Sequence, residues 1–359
     1  MKINPLKKIK PGIVTGSEAQ QIFNYAKEHK FAIPAINITN TNTINTALEA
    51  AKEINSPVII QLSNGGAHFY AGGSLENDKQ QASIAGAISA AKHVDTIAKQ
   101  YGVRVIMHTD HAAKKILPWI DGLIKASEKE YKKTKKAIFT SHMIDLSKET
   151  LEDNIKISTK YMKKLHELNM LLEVEIGMTG GEEDGVDNTG VENDKLYTKP
   201  EDVERVYLAL KKISNNFTIA ATFGNLHGVY KLENMKLHPE ILNKTQKYIE
   251  KKHKTKPKPI NFVFHGGSGS PIKDIKKAVR YGVVKLNIDT DAQWALWEGV
   301  REYHEQNKKY LKQPIGNPTG KDAPNKKYYD PRKWLRAGEE NLKKRLKQYF
   351  KDLNAQNKN

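Results

Sequence analysis

The sequence predicts a (β/α)₈ TIM barrel, an α/β fold in which eight parallel strands alternate with helices. Two observations predict it: eight short runs of apolar and β-branched residues, and helical patterns between most of them. Repeated alternation of this kind indicates a parallel sheet, and eight units in one chain favour closure into a barrel. An open, doubly wound sheet is the alternative.

The predicted elements extend along almost the whole chain. The strands are Phe31–Asn37, Pro57–Leu62, Val103–Thr109, Ala137–Met143, Leu171–Ile176, Phe217–Phe223, Ile260–His265 and Val283–Ile288. The clearest helices are Thr41–Asn55, Gln81–Gln100, Thr150–Asn169 and Pro200–Ile213. After the last strand come Thr290–Leu311, a loop rich in Pro, Gly and Asn, and a final helix over about Arg332–Leu353. This C-terminal extension either folds over the barrel or reaches a partner subunit.

Length and composition fit one such domain. The chain has 359 residues, of which 38% are hydrophobic, and no linker or break in composition divides it. We therefore expect residues 1–359 to form a single barrel domain with extra helices and a C-terminal extension. The sequence contains no cysteine, which excludes disulfides, thiolate metal ligands and a cysteine nucleophile.

The chain is strongly basic, with a formal net charge of +18. Its lysines are spread through most predicted helices without a basic stripe of interleaved aromatic residues, a pattern that favours solvated helix faces over nucleic-acid binding. The basic Met1–Pro11 segment precedes no apolar run, and no stretch approaches the roughly 20 apolar residues of a membrane helix. We expect a cytoplasmic protein that binds neither nucleic acid nor membrane.

Polar residues gather at the carboxyl ends of the predicted strands, the face that holds the active site in barrels. Among them, His111, His227 and His265 end three different strands. Three such imidazoles can converge on one zinc ion and leave a fourth coordination position for substrate, although each alone fits a hydrogen-bonded rim histidine equally well. Asp110 adjoins His111, where a carboxylate can either exchange a proton with a substrate hydroxyl or orient the ligand.

Further carboxylates flank this predicted metal site. Asp145 and Glu175 offer an oxygen-rich position nearby, with a salt bridge on the rim as the alternative. The run GGEEDG at 180–185 indicates either a hinged loop that brings a carboxylate over the site or a solvated acidic loop. His108 is too close in sequence to His111 to share one metal comfortably, so we interpret it as a packing or supporting residue.

Two turns on the same rim have the composition of phosphate sites. Gly266–Ser270 follows the seventh predicted strand, and Asp289 and Thr290 follow the eighth. Backbone N–H groups and hydroxyl groups bind phosphate oxygens, and the loops after strands seven and eight are the usual phosphate site of barrels. Neither a Walker A motif nor a dinucleotide-binding glycine motif is present, so a nucleotide is not indicated.

Seven longer motifs point to one enzyme family. They are HTDHAAKK, SHMIDLS, GGEEDGVDN, FGNLHGVYK, FVFHGGSGS, GVVKLNIDTD and NKKYYDPR. In content and order they resemble the class II, zinc-dependent fructose-bisphosphate aldolases of bacteria and fungi, and the tail is similar to that of the longer branch, whose members are homodimers. The resemblance implies reversible aldol cleavage of fructose 1,6-bisphosphate through a zinc-stabilised enediolate, in glycolysis and gluconeogenesis.

The resemblance also implies roles for individual residues. It makes His111, His227 and His265 the ligands of the catalytic zinc, Asp110 the proton donor at the C4 hydroxyl, Glu183 the mobile-loop base, Asn287 a further catalytic residue, and Asp145 and Glu175 ligands of a second divalent metal. It places dihydroxyacetone phosphate at Gly228, Gly266, Gly267, Ser268, Asn287, Ile288, Asp289 and Thr290, and the rest of the substrate at Asn37, Ser63 and Arg332, with Arg332 supplied by the neighbouring subunit. Some members use a monovalent cation near the phosphate loop.

Three rival functions remain. A tagatose-bisphosphate aldolase of the same family would share the site, although those chains are usually shorter. A Schiff-base aldolase would need a lysine on a barrel strand, and Lys285 is the only candidate on the strands considered. A non-catalytic basic binding protein would make the whole rim constellation incidental. Zinc content per subunit distinguishes these classes.

Overall fold

The computed structural model describes residues 5–183, 186–188, 196–227 and 237–359. Its strands are β1 (Gly12–Ile13), β2 (Ile33–Asn37), β3 (Val58–Leu62), β4 (Arg104–Thr109), β5 (Ser141–Ile144), β6 (Leu171–Ile176), β7 (Gly180–Glu183), β8 (Val186–Asn188), β9 (Phe217–Ala221), β10 (Leu226–His227), β11 (Phe262–Phe264), β12 (Val283–Ile288), β13 (Ile315–Asn317) and β14 (Gly320–Pro324). Its α-helices are α1 (Gly16–Glu28), α2 (Thr41–Ile54), α3 (Asn64–Ala71), α4 (Gln81–Tyr101), α5 (Leu117–Thr134), α6 (Leu151–Glu167), α7 (Pro200–Lys211), α8 (Glu240–His253), α9 (Ile272–Arg280), α10 (Thr290–Asn307), α11 (Lys326–Tyr329) and α12 (Pro331–Asp352). Within these ranges no helix has both the length and the apolar character needed to cross a bilayer.

Eight of the described strands form a closed parallel barrel. Each of β2 to β5 pairs with the next strand in sequence, β6 pairs with β9, and β11 pairs with both β9 and β12. The pairing of β12 with β2 closes the ring, with Lys285 opposite Ile33 and Ile288 opposite Ile36. The predicted (β/α)₈ barrel is thereby confirmed, and the open doubly wound sheet, which has no closing pair, is excluded.

The barrel strands are buried on both faces, because helices cover the outside and side chains fill the interior. Every residue of β3 (VIIQL) and of β12 (VVKLNI) is buried. A polar side chain on such a strand needs a partner inside the protein. Lys285 on β12 contacts Glu173 on β6 and His108 on β4, which are not neighbouring strands, so these three side chains meet inside the barrel.

A two-residue strand, β1, fills the barrel wall at its N-terminal end. It pairs in parallel with the first two residues of β4, and the Thr140 hydroxyl donates to the Val14 carbonyl oxygen at 2.5 Å. β4 and β5 pair directly only through the last two residues of β4 and the first two residues of β5, and β1 lies beside the first two residues of β4, where no β5 residue pairs with them. Two residues carry no periodic pattern, which is why β1 is not predicted from the sequence.

The residues after β12 fold over their own barrel, the first of the two expected arrangements. α10 packs against α12, and α12 also packs against α2. The guanidinium group of Arg336 donates two hydrogen bonds of 2.8 Å to the Glu49 carboxylate on α2, and Leu342, Leu346 and Phe350 are buried. Between the two helices, β13 and β14 form an antiparallel hairpin in the segment predicted as a loop.

A close contact between α3 and α4 fixes the helix that follows β3. Gly86 of α4 lies against the α3 backbone, and a Cβ atom there would be 1.8 Å from the Ala67 carbonyl oxygen. Ser63 caps the start of α3 by accepting the N–H of Gly66 at 3.1 Å. The contact therefore sets the direction of a helix whose first turn lies at the carboxyl end of a barrel strand. A Cβ atom at Gly65, within α3, meets nothing within 4 Å.

We expect Gly86→Ala to lower the free energy of unfolding by about 1–3 kcal/mol, the usual cost of overpacking a buried contact. Gly65→Ala is the matched control, and it should be neutral or stabilising because alanine favours a helix over glycine by about 1 kcal/mol. Urea unfolding followed by far-UV circular dichroism measures both variants. Equal stabilities would contradict the close packing of α4 on α3.

Candidate active site

The structure brings many of the predicted site residues together at the carboxyl ends of the barrel strands. The buried members are Asn37 on β2, Asp110 and His111 after β4, Asp145 after β5, Glu175 on β6, His265 after β11, and Asn287 on β12. They contact one another across the end of the barrel, as the following paragraphs describe. This follows from parallel pairing, because strands that run in one direction end on one rim.

Three carboxamide groups surround Asp110. The side-chain amides of Asn37 and Gln61 donate to Asp110 Oδ2 at 3.0 and 2.9 Å, and the amide of Asn287 donates to Oδ1 at 3.2 Å. Gln61 also donates to Asn37 Oδ1 at 2.5 Å. Gln61 is absent from the predicted site, although a glutamine in an otherwise apolar, fully buried strand is the signal that could have identified it.

Neighbouring positive charges keep Asp110 ionised. Burial opposes ionisation of this carboxyl group, but the positive charges of His111 and Lys285 outweigh burial and lower its pKa to about 2. Neighbouring opposite charges and hydrogen bonds to a charged form both favour that form. Asp110 is therefore a fixed carboxylate at neutral pH.

His111 lies between carboxylates on both sides. Its Nδ1 is 3.0 Å from Asp145 Oδ2 and 3.3 Å from Glu175 Oε2, and its Nε2 is 4.0 Å from Asp110 Oδ1. Burial alone would lower the pKa of His111, but these carboxylates raise it well above its usual value. Asp145 is itself oriented by Ser147, whose hydroxyl donates to Asp145 Oδ1 at 2.6 Å.

His265 adjoins His111, with 4.6 Å between the ring centroids. Its Nε2 is 3.0 Å from Glu173 Oε1, and its Nδ1 is 3.4 Å from Glu175 Oε2. Burial disfavours the charged imidazole, yet Glu175 and Glu173 raise the pKa of His265 overall. Two imidazoles thus share one carboxylate, Glu175, which also accepts the Thr179 hydroxyl at 2.8 Å.

The rim offers two overlapping groups of metal-ligand atoms. In one group, Asp110, His111 and His265 each place a ligand atom within 4.8 Å of the others, and in the second His111, Asp145 and Glu175 do so. Imidazole nitrogen together with carboxylate oxygen is a donor set that zinc accepts readily. The residues therefore fit a zinc ion in chemical type as well as in spacing, with His111 common to both positions.

Two further predicted residues are described through their backbone only. His227 lies on β10, which pairs in parallel with β7 so that His227 is opposite Gly181. Glu183 ends β7, which forms an antiparallel hairpin with β8. The predicted loop at 180–185 is therefore in part a strand. Gly228 lies outside the described residues.

The predicted phosphate turns lie side by side because β11 and β12 are neighbours. Gly266 has φ = 60°, and a Cβ atom at Gly267 would approach the Leu286 side chain to 2.7 Å, so both positions need glycine. Asp289 and Thr290 begin α10, and Asp289 Oδ1 accepts the Gln293 side-chain amide at 2.8 Å. Backbone N–H groups at a helix N-terminus form an anion-binding position.

Arg332 is not brought to the rim by any contact found among the described residues. It lies in the first turn of α12, its side chain is 86% exposed, and its guanidinium group binds Asp330 at 2.6 Å. Ser63, by contrast, is buried at the carboxyl end of β3. Within the described part of one chain, no hydrogen bond or ion pair therefore joins Ser63 and Arg332, the two residues predicted to bind the second phosphate group.

Comparison with known proteins identifies the family. Residues 17–358 match the family model described as fructose-bisphosphate aldolase class-II. A fructose-bisphosphate aldolase of Campylobacter jejuni is 60% identical over 353 residues, 98% of each chain. The fructose-bisphosphate aldolase class 2 of Escherichia coli strain K12 is 56% identical over 348 residues, 97% of each chain.

Solved structures agree with these matches. The crystal structure of the C. jejuni fructose-bisphosphate aldolase has a TM-score of 0.91 and 57% identity, covering 99% of this chain and 100% of that one. A protein from Coccidioides immitis, with a TM-score of 0.68 and 20% identity over 94% of this chain and 96% of that one, shares the fold. The family expected from the motifs is confirmed: the chain belongs to the class II fructose-bisphosphate aldolases, lyases that in general depend on zinc.

Proposed function

We propose that this chain catalyses the reversible cleavage of fructose 1,6-bisphosphate to dihydroxyacetone phosphate and glyceraldehyde 3-phosphate, in glycolysis and gluconeogenesis. One observation carries the proposal: Asp110, His111 and His265 place metal-ligand atoms within 4.8 Å of one another on the barrel rim. A metal position beside a buried carboxylate combines the electrophile and the proton acceptor that aldol cleavage needs. Whole-length similarity to fructose-bisphosphate aldolases supports this substrate over its tagatose isomer.

The proposed ligands of the catalytic zinc are His111, His227 and His265. Asp145 contacts Nδ1 of His111 and Glu173 contacts Nε2 of His265, so Nε2 of His111 and Nδ1 of His265 are the proposed ligand atoms. A carboxylate on the far nitrogen of a ligand histidine is the usual way in which proteins orient such a ligand. When bound, zinc supplies electrophilic stabilisation of the negative charge that develops on substrate oxygen.

Two further cation positions complete the proposal. Asp145 and Glu175 are the proposed ligands of a second divalent metal, supported by their approach to His111 within 3.3 Å. A monovalent cation near the turn at Gly266–Ser268 is proposed from the family resemblance alone.

Asp110 is the proposed proton-transfer group at the C4 hydroxyl of the substrate. In cleavage the ionised carboxylate accepts the hydroxyl proton, and in condensation it returns the proton to the same oxygen. The amides of Asn37, Gln61 and Asn287 hold the carboxylate in one orientation, so the proton acceptor is in place before substrate binds. Asn287 thus contributes to catalysis by positioning Asp110 and, as proposed, by contacting substrate.

Glu183 is the proposed base for the carbon-bound proton of dihydroxyacetone phosphate. The pairing of β7 with β10 supports this role, because it connects the strand that ends at Glu183 with the strand that carries His227. Gly180 and Gly181, the first two residues of β7, allow the backbone before Glu183 to change conformation at low cost.

The two phosphate groups of the substrate are assigned to different groups of residues on the rim. We assign the phosphate of the dihydroxyacetone half to Gly228, Gly266, Gly267, Ser268 and the segment Asn287–Thr290, and we assign the remainder of the substrate to Asn37, Ser63 and Arg332. The glycine turn and the N-terminus of α10 support the first assignment, since both present backbone N–H groups. Two anchored phosphates orient the bond that breaks.

A homodimer is the proposed assembly, and the cytoplasm, where phosphorylated sugars are metabolised, is the proposed compartment. The exposure of Arg332 on α12 supports an intersubunit role, because this side chain is directed into solvent and binds only Asp330 among the described residues. In a dimer it would complete the phosphate site of the other subunit.

Chelation should abolish cleavage, and added Zn²⁺ should restore it, because His111 and His265 have the donor set of a zinc site. His111→Ala and His265→Ala should lose both zinc and activity, whereas the exposed His304→Ala control should keep both. Elemental analysis per chain and a coupled aldolase assay measure the outcome. An aldolase that remains active without metal and forms a borohydride-trapped adduct at Lys285 would establish the Schiff-base alternative.

Asp110→Ala should retain zinc and bind substrate, yet lose cleavage by about 10²-fold or more, the scale of general acid–base catalysis. The exposed Asp121→Ala on α5 is the control and should cleave at the normal rate. Metal analysis, substrate binding by calorimetry and steady-state rates separate the possibilities. Loss of zinc together with activity would make Asp110 a metal-site residue.

An Arg332→Ala chain mixed with a His111→Ala chain should recover activity that neither has alone. In the heterodimer one intact metal site receives an intact arginine, so up to half of the wild-type activity per dimer is expected. Lys333→Ala, an adjacent exposed residue, is the control and should be active by itself. A verified heterodimer without recovered activity would show that Arg332 does not act across the interface.

A further inference from the structure

A buried lysine lies inside the barrel and contacts a carboxylate that also contacts His265, a proposed zinc ligand. Lys285 is 1% exposed inside the barrel, and its ammonium group is 2.7 Å from Glu173 Oε1 and 3.3 Å from His108 Nε2. Removing a charged amine from water is costly, so a lysine is almost never fully buried unless it is paired. Lys285 is therefore buried as the partner of Glu173, and its role depends on the other contacts of Glu173.

Glu173 accepts hydrogen bonds from three directions. Besides Lys285, His265 Nε2 lies 3.0 Å from Oε1, and the Thr218 hydroxyl donates to Oε2 at 3.2 Å. An ionised carboxylate can only accept, so the His265 nitrogen that faces it carries the hydrogen. A neutral imidazole has one N–H, and the lone pair that binds a metal is then on Nδ1. Nδ1 lies 3.4 Å from Glu175 Oε2, a longer distance than the 3.0 Å between Nε2 and Glu173 Oε1, so the shorter contact favours the hydrogen on Nε2.

We infer that the buried Lys285–Glu173 ion pair positions His265, holding the hydrogen on Nε2 so that Nδ1 is the nitrogen offered to a metal ion. This inference rests on the proposed metal site. Lys285 and Glu173 are positioning residues, since they act through His265.

Lys285 is necessary in this arrangement because Glu173 alone would be an uncompensated buried charge. Without the ammonium group, the carboxylate would turn toward other donors, and the hydrogen bond to His265 would weaken. His108 fixes the lysine in turn: its Nδ1 is 2.7 Å from the Ser141 hydroxyl, and its Nε2 faces Lys285. The supporting role expected for His108 is therefore to contact Lys285 and hold it in place.

The experiment measures zinc affinity and the His265 tautomer separately. Lys285→Met removes the ammonium group at similar volume, Glu173→Gln removes the carboxylate charge, and Lys285→Arg keeps a cation at the same place. Lys27→Met is the matched control, because Lys27 is a partly buried lysine whose ammonium group lies 3.5 Å from the Ile260 carbonyl oxygen, away from Glu173 and His265. Circular dichroism and urea unfolding establish that each purified variant is folded.

Zinc affinity, measured by competition with a chromophoric chelator, should fall about 10- to 100-fold in Lys285→Met and Glu173→Gln, the usual effect of losing a carboxylate behind a ligand histidine. Lys27→Met should match the wild type, and Lys285→Arg should recover part of the loss. In metal-free protein with ¹⁵N-labelled histidine, NMR should find His265 Nε2 protonated in the wild type and the tautomer mixed in the two weakened variants.

Wild-type zinc affinity in folded Lys285→Met and Glu173→Gln, with the tautomer unchanged, would overturn the inference. If Lys285→Met does not fold, Glu173→Gln and Lys285→Arg decide the matter by the same two measurements. A wild-type protein that binds no zinc would instead contradict the proposed function. In that case the tautomer measured without metal still decides whether the ion pair positions His265.

Discussion

Closure of the parallel barrel by the β12–β2 pair is the constraint on which the site depends. Because all eight strands run in one direction, their carboxyl ends meet on one rim, and the closing pair brings Asn287 opposite Ala35. Asn37 and Asn287, from the first and last barrel strands, can then both donate to Asp110, although Asp110 and Asn287 are 177 residues apart in sequence. No local segment could bring both of these donors to Asp110, so the site exists only in the closed fold.

The rim is polar and yet buried, so its order comes from paired charges more than from apolar packing. Glu173 accepts hydrogen bonds from Lys285 and His265. Glu175 lies close to the imidazole rings of both His265 and His111. A buried charge that loses its partner costs several kcal/mol, and hydrogen-bond networks lose more from one deletion than pairwise sums predict. The same interdependence holds the donors in fixed orientations. Groups that are already oriented need little reorganisation during a reaction, which is the physical basis of electrostatic catalysis.

The barrel strands are predictable because parallel strands buried on both faces have continuous apolar, β-branched sequences. The predicted bounds of β6, Leu171–Ile176, and of β12, Val283–Ile288, match the structure. β1 is not predictable from local pattern, since Gly12–Ile13 gains its hydrogen bonds from a distant strand. Within the site, residue types at strand ends indicate the metal and phosphate positions. They do not indicate which buried groups contact one another, so the hydrogen bond of Gln61 to Asp110 and the pairing of Lys285 with Glu173 are found only from three-dimensional contacts.

The electrostatics of the rim separate the proposed metal position from the proposed phosphate positions. Asp110, Asp145 and Glu175 are all buried at the carboxyl ends of three strands, a concentration of negative charge that attracts a cation and repels an anion. The phosphate positions avoid this repulsion by relying on backbone N–H groups, in the glycine turn after β11 and at the positive end of the α10 dipole. The net charge of +18 adds an attraction for a bisphosphate. That attraction is screened over about 10 Å at 0.1 M salt, so it affects encounter, while orientation within the site depends on the local donors.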